Sequence, residues 1–173
     1  MAEDDDLTPA DILVAPEEDL QEEFLRLCKV RKCSLTPSLT PRMVMTAREQ
    51  YAEQYYRQLY LERYGHPAHR IADLFVFLGD SPWSRVSWSA GGVLPTYRTN
   101  TGLLWHPMSD SFVTAKEKMA SMGFPMFDEI AAAMGMRRLH LTAEGAHKAI
   151  GNAMHMASIY VVLLCSLASV RQI

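Results

Sequence analysis

Residues 148–170 read KAIGNAMHMASIYVVLLCSLASV, and how this stretch is read decides what kind of protein the chain is. Gly151 and Asn152 break what would otherwise be one apolar helix, at the point where a helix interior tolerates them least. The apolar part, Ala153–Val170, is eighteen residues long. As a helix it would reach about 27 Å, just short of a comfortable bilayer span. His155, Ser158, Ser166 and Ser169 also lie inside it, and a membrane anchor avoids a histidine. A helix apolar nearly all round is more simply the central helix of a soluble core. Asn152 then serves as its N-cap, and the free amides of its first turn form an end suited to an anion.

Working outward, 173 residues suit one domain with one core. Apolar residues at 49% and charged residues at 21% give an ordinary globular composition and exclude a disordered chain. The net charge of −3 hides an asymmetry. Residues 1–26 carry ten acids and a single base, Arg26, so the rest of the chain is mildly basic. That pattern is compatible with a polyanion-binding surface and, more simply, with a solvated one. Cys28, Cys33 and Cys165 make no even disulfide framework and no zinc-finger spacing. They read as free thiols with no metal, which implies an intracellular location. The acidic start MAEDDDLTPAD has no apolar core of a signal peptide.

Three regions follow. Residues 1–42 form an acidic leader, a short helix over Glu17–Lys29 and a linker whose SLTPSLTPR repeats proline. Residues 43–85 hold the strongest helical pattern, with Tyr51, Tyr55, Leu59 and Tyr60 at helical spacing and Gly65 and Pro67 as a stop. Those tyrosines suit packing first and base stacking second. A buried strand is expected over Ile71–Leu78, ended by Gly79-Asp80-Ser81-Pro82. Residues 86–173 open with short strands and turns. They continue with a helix that Thr114 caps with Glu117 at its third position, stopped by Gly123 and Pro125. A short helix in FDEIAAAMGM and the terminal stretch complete the chain. The fold class expected is mixed α/β, helix-dominated, with short strands and a long C-terminal apolar helix.

The order of these last pieces carries a resemblance. LPTYRTNTG, then Thr114-Ala115-Lys116-Glu117 with Met122-Gly123-Phe124-Pro125, then Gly151-Asn152-Ala153-Met154, is similar to the C-terminal end of DNA cytosine-5 methyltransferases. There a Pro-Thr-x-Thr-like strand is followed by Arg-x-Leu-Thr-x-Arg-Glu-x-x-Arg-x-x-Gly-Phe-Pro and by a Gly-Asn-Ser/Ala-Val turn that opens the last helix. The resemblance covers roughly residues 90–170.

It implies that Gly151, Asn152 and Ala153 stand near the methionine end of S-adenosyl-L-methionine, with free amides facing its carboxylate. It also implies a DNA-facing lobe from about Val86 to Trp105, in which Arg98 and Asn100 reach phosphate or a base edge. Each residue alone has a plainer reading: Arg98 as a surface arginine, His106 as a loop histidine. Lys116 and Lys118 replace arginines common in the family, and Ala153 replaces a serine.

The same family needs a cysteine thiolate in a Pro-Cys pair, a glutamate in Glu-Asn-Val and a Phe-x-Gly-x-Gly cofactor turn. None is present, since Cys28, Cys33 and Cys165 follow Leu27, Lys32 and Leu164. The expectation is therefore a partial or split methyltransferase with no catalytic residue of its own, inactive alone. It would take the cofactor only when a complementary chain completes it, and would have DNA as a further partner. A non-enzymatic DNA-binding or regulatory module, and a partner-binding or membrane-tail protein, are the alternatives. An intracellular protein with a DNA partner could reside in the nucleus.

Overall fold

The computed structural model describes residues 8–97, 102–150, 153 and 156–170. Helix dominates: α1 (Glu17–Arg31), α2 (Ala47–Tyr64), α3 (Ala115–Ser121), α4 (Asp128–Ala133), α5 (Ala143–Ile150) and α6 (Met156–Val170). The strands are short, β1 (Val76–Phe77), β2 (Leu104–His106) and β3 (Ser111–Phe112). They form one antiparallel sheet in the order β1-β2-β3, with Val76 opposite Trp105 and Trp105 opposite Phe112. A mixed, helix-dominated α/β chain is what the sequence led one to expect.

Alternation along the strands sets the two faces of the sheet. Val76, Trp105 and Phe112 point one way, onto Leu27 and Cys28 of α1 and Ala52, Tyr56 and Tyr60 of α2. Phe75, Phe77, Leu104 and Val113 point the other way, where Ile12, Leu94 and Tyr97 cover them. A sheet buried on both faces reads as a continuous apolar run, which is why Leu74–Leu78 is buried at every position. The outer edge of β1 is not bare. Phe77 N–H donates to Ser87 O and Ser89 N–H to Phe75 O, both at 2.9 Å. Burying each large side chain here contributes about 2–3 kcal/mol.

Only Val76–Phe77 of the expected Ile71–Leu78 strand pairs as regular β-structure, because the partner it meets is itself three residues long. His106, expected in a loop, is the last residue of β2 and is buried.

The helix ends follow local chemistry. Both α2 and α3 begin with a complete capping box, Thr46 with Glu49 and Thr114 with Glu117. Gly65, at φ 72°, ends α2 in the left-handed conformation that glycine adopts without strain. Helix α1 places Glu17, Glu18 and Asp19 in its first turn and Lys29 and Arg31 in its last, matching its dipole. The buried face of α2 differs from expectation. Ala52, Tyr56 and Tyr60 face the core together with Glu49 and Glu53, while Tyr51 stays outside.

The terminal helix requires a correction. It runs for fifteen residues, Met156–Val170, about 22 Å, and is not the long central core helix expected over Ala153–Val170. Tyr160 to Leu164 are each about half or more exposed, from 49% to 65%. Apolar character alone does not bury a helix; a facing surface must cover it, and these five side chains lack such cover among the described residues. Among the described residues, no helix is long and apolar enough to cross a membrane.

Candidate functional site

Two of the segments that carry the resemblance, and the helix that leads into the third, meet in one cluster. Helices α3 and α5 pack side by side, and Ala115, Met119, Met126, Phe127, Ala146 and Ile150 form their shared core. Phe124 of the Gly-Phe-Pro turn and Tyr97 of the Pro-Thr-Tyr segment pack against the same core. Gly123, at φ 87°, makes the reversal that brings Phe124 back, with Phe124 N–H bonded to Met119 O at 3.2 Å. Tyr97 also belongs to the cluster under the sheet, so it links sheet and helices. Its hydroxyl lies 2.8 Å from Ser121 Oγ, and burial pushes its pKa up.

Beside this junction, Lys118 and His147 line a crevice with Phe77, Leu104 and Ile150, of about 10 Å3. Desolvation pushes the Lys118 ammonium down to about 8, against the attraction of Glu23. Desolvation, joined by the nearby Arg26 charge, also holds the His147 imidazole below its ordinary value. A cavity of that size is at the limit for one water, far from the several hundred Å3 a nucleoside ligand needs.

A second, larger cavity of about 300 Å3 lies between α1, α3 and the segment before α5, lined by Glu22, Lys116, Arg138 and His140 among others. Its charges are already matched. Lys116 Nζ donates to Asp19 Oδ1 and Glu22 Oε2, both at 2.7 Å. Burial lowers the Lys116 pKa, but the bonds to the two acids outweigh it and leave the ammonium above its usual value. The Lys116 bond holds the Glu22 carboxyl below its ordinary value, against desolvation. Glu22 Oε1 meanwhile accepts the Ala143 N–H at 2.9 Å, capping the start of α5 from another helix. Lys116 therefore works as internal glue between α1 and α3, and is not a charge offered to a ligand.

A third cluster surrounds the β2–β3 turn. Arg42 bonds Asp110 and Glu53, Arg57 bonds Glu53, and the Arg42 guanidinium lies 5.7 Å from the centre of the Trp105 ring. Asp110 has a positive φ of 52°, held by this network, and the Arg42 bond lowers its pKa. His106 has both ring nitrogens engaged, Nε2 2.8 Å from Ala72 O and Nδ1 2.8 Å from Ser109 Oγ, and stacks on Phe75. A ring so committed is poorly placed to exchange protons with a substrate.

Of the site residues expected from sequence, Arg98, Asn100, Gly151 and Asn152 lie outside the described residues. Ala153 is described and half-buried. Cys28 and Cys33 are free thiols. Burial, joined by the proximity of Cys33, pushes the Cys28 thiol up, the wrong direction for a nucleophile. No group of three or more metal-ligating side chains occurs among the described residues. Tyr51 stacks on Trp83, a residue the sequence did not single out, although base stacking was the second reading of the α2 tyrosines.

Comparison with family models, curated proteins and solved structures returns no match to this chain.

Proposed function

We propose that this chain is the C-terminal portion of a DNA cytosine-5 methyltransferase-like protein, inactive alone and completed by a second chain. One observation carries the reading. Tyr97, Phe124 and Ile150 come from three segments far apart in sequence, in the order the family shows, and all pack on one core. Ile150 directly precedes the Gly-Asn pair in sequence. Chance similarity of three short motifs carries no such requirement of adjacency.

On this reading the cofactor site is completed only by the second chain. The crevice beside Ile150 is about 10 Å3, far smaller than a nucleoside ligand needs. No methyl-transfer step is therefore assigned to these residues. In the completed assembly, Gly151, Asn152 and Ala153 would face S-adenosyl-L-methionine, and Arg98 and Asn100 would face DNA. The uncovered apolar side chains of α6 support a missing partner surface. With a DNA partner, the nucleus is the fitting compartment.

The test is complementation. Labelled S-adenosyl-L-methionine and DNA should show no transfer with this chain alone. Transfer should appear when a chain bearing Pro-Cys, Glu-Asn-Val and Phe-x-Gly-x-Gly is added. Salt-sensitive DNA binding with no rescue by any such chain would replace the proposal with a non-enzymatic DNA-binding module. The exposed α6 favours one further reading, a partner-binding tail, which binding to another protein without DNA affinity would support.

A further inference from the structure

Helix α2 divides its aromatic residues between two stacks. The inner one, Tyr56, Tyr60 and Tyr64 around Trp88, closes the core. The outer one does not. Tyr51 and Trp83 stack with ring centres 5.2 Å apart and planes within 26°, yet they are 56% and 58% exposed. Tyr55 tilts against the same indole at 5.5 Å. Hydrogen bonds within the loop hold Trp83 in place: Ser84 N–H and Arg85 N–H both donate to Ser81 O, and Ser84 Oγ donates to the same oxygen at 2.9 Å.

The charges around this platform are one-sided. Arg48 lies one turn before Tyr51 on α2, exposed, with Nη2 3.3 Å from Gly79 O at the loop's base. Arg85, two residues beyond Trp83, is exposed as well. The acids in this half of α2 are turned away: Glu49 is buried against Arg31, and Glu53 against Arg42 and Arg57. The next carboxylate along the helix is Glu62, beyond Gln54 and Gln58, and the loop adds one half-buried acid, Asp80.

We propose that Tyr51, Tyr55 and Trp83 form a stacking platform for the unpaired bases of single-stranded nucleic acid, with Arg48 and Arg85 meeting its phosphates. A flat, preformed π-surface flanked by guanidinium groups supplies the two ingredients of sequence-tolerant single-strand binding. A purely apolar peptide would use the rings and leave both arginines idle. The platform stands on these contacts alone and does not depend on the methyltransferase reading.

The experiment is a binding titration of the full chain with oligothymidylate, an abasic phosphodiester strand of equal length, the matching duplex and a proline-rich peptide. Oligothymidylate should bind and quench tryptophan fluorescence, and the abasic strand and the duplex should each bind ~10-fold or more weakly. Trp83→Ala should cost a similar factor and abolish the quenching, with Trp83→Phe restoring part of the affinity. Arg48→Ala and Arg85→Ala should each lower the salt slope by about 0.7. Trp83 is exposed, so an unchanged thermal melt certifies that the variants fold. Equal binding of the abasic strand, no effect of Trp83→Ala, no binding at all, or peptide binding in place of oligonucleotide would each overturn the proposal.

Discussion

Glu117 Oε1 accepts the backbone N–H of Ala15 at 3.0 Å, across 102 positions of sequence. Its other oxygen accepts the N–H of Thr114 at 2.8 Å and the Thr114 hydroxyl at 2.9 Å. One carboxylate thus caps α3 and pins the chain entering α1 to it. Burial nevertheless raises its pKa above the ordinary value, outweighing those bonds.

Replacing Glu117 by alanine leaves three donors short of an acceptor, the two on Thr114 buried and the Ala15 N–H half-buried. The expected loss is roughly 2–4 kcal/mol, more than a cap alone is worth. Glu117→Gln, which keeps an acceptor oxygen for part of the network, should lose less. Urea unfolding of the two variants measures the difference, and equal losses would show that the Ala15 tether contributes nothing.

Lys118 should lose its proton well below the ordinary range of a lysine. With its pKa down at about 8, half of it is neutral at pH 8, where an ordinary lysine is almost wholly protonated. An NMR titration of the lysine side chains should find its midpoint near pH 8. The sign of its linkage follows. Between about pH 8 and 10.5 the folded amine is neutral and the unfolded one charged, so this group's contribution raises stability as pH rises through that window. A Lys118→Met variant should lack that rise.

The Glu22 carboxyl titrates below its ordinary value because Lys116 bonds it. A depressed carboxylate stabilises the fold above its unfolded pKa, and the gain fades as pH falls through the folded one. Lys116→Met should remove this acid sensitivity. At neutral pH it should also destabilise strongly, by about 3–5 kcal/mol, because buried Asp19 keeps only the long 3.9 Å contact to Arg138. Melting curves of both proteins from pH 3 to 7 test the pair of effects.

Gly79 and Gly102 bring two backbones together where β1 ends and the run into β2 begins. A Cβ on Gly102 would come 2.3 Å from Gly79 Cα, and one on Gly79 would come 2.9 Å from Gly102 Cα and 2.4 Å from Phe77 Cζ. Backbone cannot yield as a flexible side chain does. Either alanine substitution should cost about 1–3 kcal/mol or more, and the two together should cost less than their sum. Additive losses would mean the chains part elsewhere.

The exposed α6 residues invite self-association. Val162→Lys with Leu163→Lys should leave the unfolding midpoint nearly unchanged, as surface substitutions do, while lowering the sedimentation coefficient of concentrated samples. A lower midpoint would mean that α6 is packed after all.

Much of the local structure could be read directly. Thr114 with Glu117, Gly65 after α2 and Gly123 before Pro125 act over three or four residues, so their effect is written where they stand. The site was harder to read, since Lys116 looks like a surface charge until Asp19 and Glu22 arrive from α1 to neutralise it. His106 looks like a loop residue until Ala72 and Ser109 take both its nitrogens.

By itself the sequence determined where helices start and stop, the two-sided burial of Leu74–Leu78, and the lack of a Pro-Cys nucleophile, because these depend on neighbours in the chain. Only the tertiary structure decided which tyrosines of α2 turn inward. Tyr51 and Tyr56 are equally apolar, and the choice falls to buried packing on Trp88 for one and an exposed stack on Trp83 for the other. The same holds for α6: hydrophobicity is a property of residues, whereas burial needs a second surface to meet them.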